Sequence, residues 1–224
     1  MALTKFALQL LAPHLKGARV LAFGYPDLLA TRAEAGAILG CRAPLQKTNP
    51  HGAAHKAKTE MAETVEAFTS AGAAALVCLD VTPSRGVETK HDLNYPLAAS
   101  IATDRWDLVI DAGTIEHCAN IGQALMNAAD AVAPGGRVFH SPPISMVNHG
   151  FYNVCPTLLV DFYEQNGWLV EHMSAFSARD FVRYDIPRMA RVHAPPESAL
   201  YFLACRGPRA TAAPRWPTQA KYLK

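Results

Sequence analysis

The feature that most constrains this chain is a repeated alternation between short, nearly continuous apolar runs and longer stretches with helical periodicity. Leu3, Phe6, Ala7, Leu10 and Leu11 recur at helical spacing, Gly17 stops that helix, and residues 19–23 read as a buried strand ending at Gly24. Residues 28–39 read as a helix closed by Gly40, and Met61, Val65 and Phe68 mark one face of another that runs to Gly72. Residues 73–81 form a second apolar run with Asp80 near its end, and residues 106–111 a third. Ile121, Ala124, Leu125, Ala128 and Val132 share a helical face, and Pro134-Gly135-Gly136 ends that helix before a strand at 137–141. A helix at 156–166 and strands at 168–172 and 199–205 complete the series. Strands hydrophobic along their whole length are covered on both faces, so the pattern predicts an α/β fold with a mostly parallel, seven-stranded sheet and helices on either side.

Composition supports one sizeable core. Half of the 224 residues are hydrophobic and 18% are charged, which excludes extensive disorder. The longest nearly unbroken apolar run, residues 71–79, is far short of the roughly 18 residues that suggest a bilayer span. The first 15 residues carry one Lys and an apolar patch broken by Gln9 and Pro13, without a secretory cleavage pattern, so a cytoplasmic protein with no membrane partner is expected. Five cysteines without a CxxC pair argue against both a disulfide framework and a thiolate zinc site.

Five of the 21 Lys and Arg residues lie from Arg206 onward, where there is no acid, so 16 basic residues face 19 acids in the rest of the chain. With three prolines, residues 206–224 read as a basic, flexible tail to a single domain at 1–205. Insertions are expected near 41–58, around Asn49-Pro50-His51-Gly52, and near 181–196, where Arg183, Arg188 and Arg191 are concentrated. The second can form a lid over an anionic acceptor or a solvated flap. Nothing resembles a nucleic-acid module.

In parallel sheets, ligands bind beyond the carboxyl ends of the strands, where loops present free backbone N–H groups. Gly24, Asp80 and Asp111 are therefore the positions to weigh. Gly24 permits close approach to the backbone, and Asp80 can accept from two ribose hydroxyls; the alternative for each is an ordinary strand-end turn.

The order Asp107-Leu-Val-Ile-Asp111-Ala-Gly-Thr-Ile-Glu116-His117, an amphipathic helix, then Ala133-Pro134-Gly135-Gly136 and a strand resembles the fourth strand, following helix and fifth strand of the class I S-adenosylmethionine-dependent methyltransferases. Asn148-His149-Gly150-Phe151-Tyr152, followed by Pro156-Thr-Leu-Leu and Asp161-Phe-Tyr, is similar to a subgroup found near sugar and natural-product pathways. The resemblance covers about residues 17–205 and implies a Rossmann-like fold with S-adenosylmethionine as cofactor. It further implies that Asp80 binds the ribose, that Asp92 and Leu93 meet the adenine, and that Asp111, Ala112 and Gly113 line the pocket, with Gly24 and Tyr25 at the first turn. The chain departs from that family at this turn. Where a GxGxG signature with an acid is usual, it has Phe23-Gly24-Tyr25-Pro26-Asp27, although a helix starting near Asp27 would still offer N–H donors.

His117 and His149 are the candidate bases, because imidazole can take a proton near neutral pH. The alternatives are packing beneath the cofactor for His117 and turn capping for His149; His140 reads as structural. Glu116 orients His117 or faces solvent. Asn148, Phe151 and Tyr152 are candidates for the acceptor pocket, with core packing as the alternative for the aromatics. His51 and His55 have metal-like spacing, but Pro50 and Gly52 oppose a helix there, and no metal site is expected. The function implied is O-methylation of a small-molecule or glycan hydroxyl. The alternative is a non-catalytic relative that binds a partner or another nucleotide. The expected partners are a small-molecule or sugar acceptor and, at most, a second copy of the chain.

Overall fold

A computed structural model of the chain describes residues 2–49, 60–102, 105–188 and 190–223. The chain divides into two compact units, Met1–His91 and Asp92–Lys224, where the sequence pattern suggests one domain to residue 205.

The first unit contains β1 (Ala2–Thr4), α1 (Lys5–Leu11), β2 (Arg19–Phe23), β3 (Asp27–Leu29), α2 (Arg32–Leu39), α3 (Thr64–Ser70), β4 (Ala75–Asp80) and β5 (Glu88–Lys90). Its main ladder is parallel, in the order β5, β4, β2, and β1 pairs separately with β3. Val20, Leu21, Ala22 and Phe23 are all buried, as a strand covered on both faces requires. The helix expected at 28–39 starts only at Arg32, because β1 claims residues 27–29 as a strand and Thr31 sets the helix start. The Thr31 hydroxyl accepts from the Glu34 amide while the Glu34 carboxylate accepts from the Thr31 amide, a reciprocal cap.

The second unit contains α4 (Ala99–Ala102), β6 (Trp106–Asp111), α5 (Ile121–Ala131), β7 (Val132–His140), α6 (Pro156–Gln165), β8 (Leu169–Ser177), β9 (Val182–Asp185) and β10 (Ser198–Cys205). Strand order is β6, β7, β10, β8, β9; only β6 and β7 run parallel, and the other pairs are antiparallel. The main ladders of the two units hold eight strands rather than the seven expected. The pattern is blind to short edge strands: β5 reads Glu-Thr-Lys, and β9 falls in the Arg-bearing stretch expected as an insertion. Pro134-Gly135-Gly136 does not end α5 before the strand but forms a bulge within β7, where pairing jumps from Val132 with Trp106 to Arg137 with Leu108.

Residues 206–223, expected to extend as a flexible tail, make specific contacts in the second unit. Arg206 is buried and donates to the Val132 carbonyl at 2.6 Å, Asn166 donates to the Arg215 carbonyl at 2.9 Å, and the Ala220 amide donates to Asp161 at 3.0 Å. The Arg206 guanidinium satisfies carbonyls at the end of α5 that the helix itself leaves without partners.

A buried chain of polar groups ties the strand ends to α6. Asp111 closes β6 opposite His140 on β7, and its Oδ2 lies 2.8 Å from His140 Nδ1; His140 Nε2 lies 2.7 Å from the Tyr163 hydroxyl. All three side chains are fully buried, and burial holds the Tyr163 phenol well above its ordinary pKa, so it keeps its proton. Tyr163→Phe strips His140 Nε2 of its partner in a dry site and is expected to cost about 1–3 kcal/mol in denaturant unfolding. Tyr152→Phe, which removes a surface bond to the Ala119 carbonyl, is expected to stay within about 0.5 kcal/mol.

Candidate active site

In the first unit, Gly24 directly follows β2 and Asp80 ends the neighbouring strand β4, and the Gly24 amide donates to the Leu79 carbonyl at 2.7 Å. Asp80 Oδ1 accepts from the Thr82 amide at 2.9 Å, which orients its carboxylate. Tyr25 is buried, its hydroxyl donates to Glu63, and Arg85 lies over its ring at 5.3 Å. Arg85 also pairs with Asp27 at 2.7 Å, and Asn49 donates to the same carboxylate at 2.7 Å. The bend that replaces the glycine signature is thus held by Glu63, Arg85 and Asn49, side chains from later segments of the first unit. The N–H donors expected from a helix near Asp27 are not there: α2 begins later and is capped by Thr31 and Glu34, and α3 is capped by Glu63. The His51/His55 pair lies outside the described residues. A cavity of about 720 Å³ borders α2, lined by Thr31, Arg32, Gly36, Cys41, Leu45 and Glu60, none of them a candidate residue.

In the second unit, Asp92 Oδ1 accepts from both the backbone and the side-chain amide of Asn94, at 2.9 and 2.7 Å, and Leu93 is buried. Asn127, nearly fully buried on α5, holds this loop in place: it donates to the carbonyls of Leu93 and Tyr95 and accepts from the Leu97 amide. Asn127 is absent from the sequence-based candidates, although an amide flanked by Ala124 and Ala128 on an apolar helix face is a detectable signal.

Asp111 organises the turn after β6. Its Oδ1 accepts from the amides of Thr114 and Ile115 at 2.7 and 3.3 Å, across Ala112 and Gly113, whose φ of 93° suits glycine. The short 3₁₀ turn Ile115–His117 then sends Glu116 inward and leaves His117 half-exposed. The loop from 148 to 152 closes onto this turn. Asn148 adopts a left-handed φ of 62°, and the amides of Phe151 and Tyr152 both donate to the Glu116 carbonyl. A Cβ on Gly150 would sit 2.9 Å from that carbonyl oxygen, so only glycine fits.

His149 is thereby set beside His117, with ring centroids 5.2 Å apart and a 46° tilt. Glu116 Oε1 lies 3.5 Å from His149 Nε2 and 3.7 Å from His117 Nε2, within ion-pair range but without a hydrogen bond. Glu116 is fully buried, not facing solvent, and neither carboxylate oxygen has a hydrogen-bond partner among the described residues. Phe151 and Tyr152 are both exposed, so neither belongs to the core; they follow His149 on the loop that closes onto Glu116.

No protein-family model matches the sequence, and no curated protein matches it either. Solved structures do match in shape. An S-adenosylmethionine-dependent methyltransferase from Mesorhizobium loti aligns over 89% of this chain and 96% of its own, with a TM-score of 0.52 and 14% identity. The 1,6-didemethyltoxoflavin-N1-methyltransferase from Burkholderia thailandensis, solved with its substrate and S-adenosylhomocysteine, aligns over 89% of this chain and 76% of its own, with a TM-score of 0.51 and 13% identity. The chain therefore has the Rossmann-like α/β fold of the class I methyltransferases.

Burial of Glu116, reinforced by the Asp111 charge, pushes its carboxyl from the ordinary 4.5 up to about 8. Between those values the native state retains a proton that the unfolded chain has lost, so the group's contribution to stability is full below pH 4.5 and disappears as pH rises through about 8. In chelator-treated protein, Glu116→Gln is expected to match the parent in thermal stability near about pH 5 and to exceed it near about pH 9. Equal melting temperatures at both would refute the shift.

Proposed function

We propose that this chain is an S-adenosylmethionine-dependent methyltransferase that modifies a hydroxyl of a small molecule or glycan. The observation that carries the reading is the pair of half-exposed imidazoles, His117 after β6 and His149 after β7, with the exposed Phe151 and Tyr152 following His149, in a methyltransferase fold. Two strand-end features suit the cofactor: Asp80 with its oriented carboxylate for the ribose, and the Asp92–Leu93 loop for the adenine. Gly113 leaves room beside the Asp111 end of β6 for the methionyl part.

When bound, S-adenosylmethionine supplies a methyl group already activated on a positively charged sulfur. What remains for the protein is to hold the acceptor oxygen in line with the methyl carbon and sulfur, exclude water and remove a proton. Phe151 and Tyr152 offer an apolar wall for the acceptor, and the polar Asn148 lies beside it. His149 or His117 accepts the hydroxyl proton as the oxygen's lone pair forms the new bond to carbon and the carbon–sulfur pair leaves with sulfur. Burial and the neighbouring His149 lower the pKa of His117 below 6.5, which keeps it neutral and available as a base near pH 7.

A second reading, a non-catalytic relative that binds another ligand, is favoured by the packed Tyr25 bend and the capped ends of α2 and α3. Calorimetry with S-adenosylmethionine and S-adenosylhomocysteine separates the two. Binding of both supports the enzyme; absence of heat and of thermal shift with either supports the relative. For the enzyme, Asp80→Ala is expected to weaken cofactor binding by about 1–3 kcal/mol. His149→Ala is expected to lower turnover at least about tenfold while leaving the cofactor dissociation constant unchanged.

A further inference from the structure

Three potential metal ligands meet in the second unit: Glu116, His117 and His149 each bring a ligand atom within 4.8 Å of the other two, and Glu116 Oε1 faces Nε2 of both imidazoles. Their spacing is informative. At 3.5 and 3.7 Å from the carboxylate oxygen, the imidazole nitrogens are too far for a hydrogen bond. Ligands on a tetrahedral centre with bonds of about 2.1 Å are separated by about 3.4 Å, close to what is found here. Burial points the same way, since a fully buried carboxylate with neither oxygen hydrogen-bonded among the described residues is costly unless an ion or proton compensates it.

We propose that Glu116, His117 and His149 form a binding site for a divalent transition-metal ion. Two imidazoles and one carboxylate are a donor set suited to zinc, iron(II) or cobalt(II), and three protein ligands leave further coordination positions open. Both imidazoles are half-exposed, so an ion can enter from solvent and its open positions face outward. The ligands are also pre-positioned. Asp111 anchors the turn carrying Glu116 and His117, and the Glu116 carbonyl anchors the loop carrying His149. With the ion bound, the Nε2 lone pairs of His117 and His149 are taken up as ligands, so an acceptor hydroxyl at an open position, made more acidic as metal-bound water is, would lose its proton to solvent and not to an imidazole. That last role rests on the methyl-transfer reading; metal binding itself does not.

The test uses the full chain, stripped with chelator and titrated with zinc chloride and cobalt chloride in the absence of any methyl donor. One equivalent per chain is expected at micromolar affinity or better, with the visible d–d absorption of a low-coordinate cobalt site. Glu116→Gln keeps the shape and removes the charge, and His149→Ala removes a ligand; each is expected to weaken binding about 100-fold or more with the circular-dichroism spectrum unchanged. His51→Ala/His55→Ala and His193→Ala are expected to bind like the parent. Affinity unaltered by Glu116→Gln, loss of binding in His51→Ala/His55→Ala, a cobalt–thiolate charge-transfer band, or no binding by the parent would each overturn the proposal. Failure of S-adenosylmethionine to bind would leave it standing, so the two readings fail separately.

Discussion

The carboxylate of Asp111 is the point on which the candidate site depends. It closes β6, and its two oxygens do different jobs: Oδ2 is held to His140, and through it to Tyr163 on α6, while Oδ1 gathers the amides of Thr114 and Ile115. In a dry interior, where no water can replace a lost partner, these bonds are hard to give up. They fix the turn that aims Glu116 inward and His117 outward, and the Glu116 carbonyl then fixes the loop at 148–152. From one strand end, backbone bonds place both imidazoles without either needing a partner of its own.

Much of the scaffold is legible in the sequence because buried strands and amphipathic helices have distinct periods. Arg19–Phe23, Ala75–Asp80 and Trp106–Asp111 stand out as apolar runs and form strands close to those limits. The strands β5 and β9 do not stand out, because edge strands need no apolar face, and β7 starts early because its Pro-Gly-Gly bulge is held by pairing the local signal lacks. Within the site, the sequence marks His117 and His149 only as two separate base candidates. Their proximity comes from residues 148–152 folding back on residue 116, a long-range contact that only Gly150 hints at. The burial of Glu116 has no local signature, since an acid beside a histidine reads equally well as exposed.

The turn after β2 marks the contrast between the two units. In the first, Tyr25, Glu63, Arg85, Asp27 and Asn49 satisfy one another. In the second, Glu116 has no such partner among the described residues. Closed networks stabilise a local structure, whereas an unsatisfied buried acid in a native protein requires a reason, and function is the commonest one. The distribution of satisfied and unsatisfied groups therefore directs attention to the loops after β6 and β7.

The strand β9 lies at the outer end of its ladder, and among the described residues no further strand pairs with its far side. Such a rim invites a foreign strand to zip onto it. Here the invitation is short and guarded: four residues, with Arg183 and Asp185 both exposed, so any polypeptide adding itself would have to dehydrate charge for little hydrogen-bonding return. The same arginine-bearing stretch that hides the strand from sequence inspection thus gives the ladder a short, charged edge.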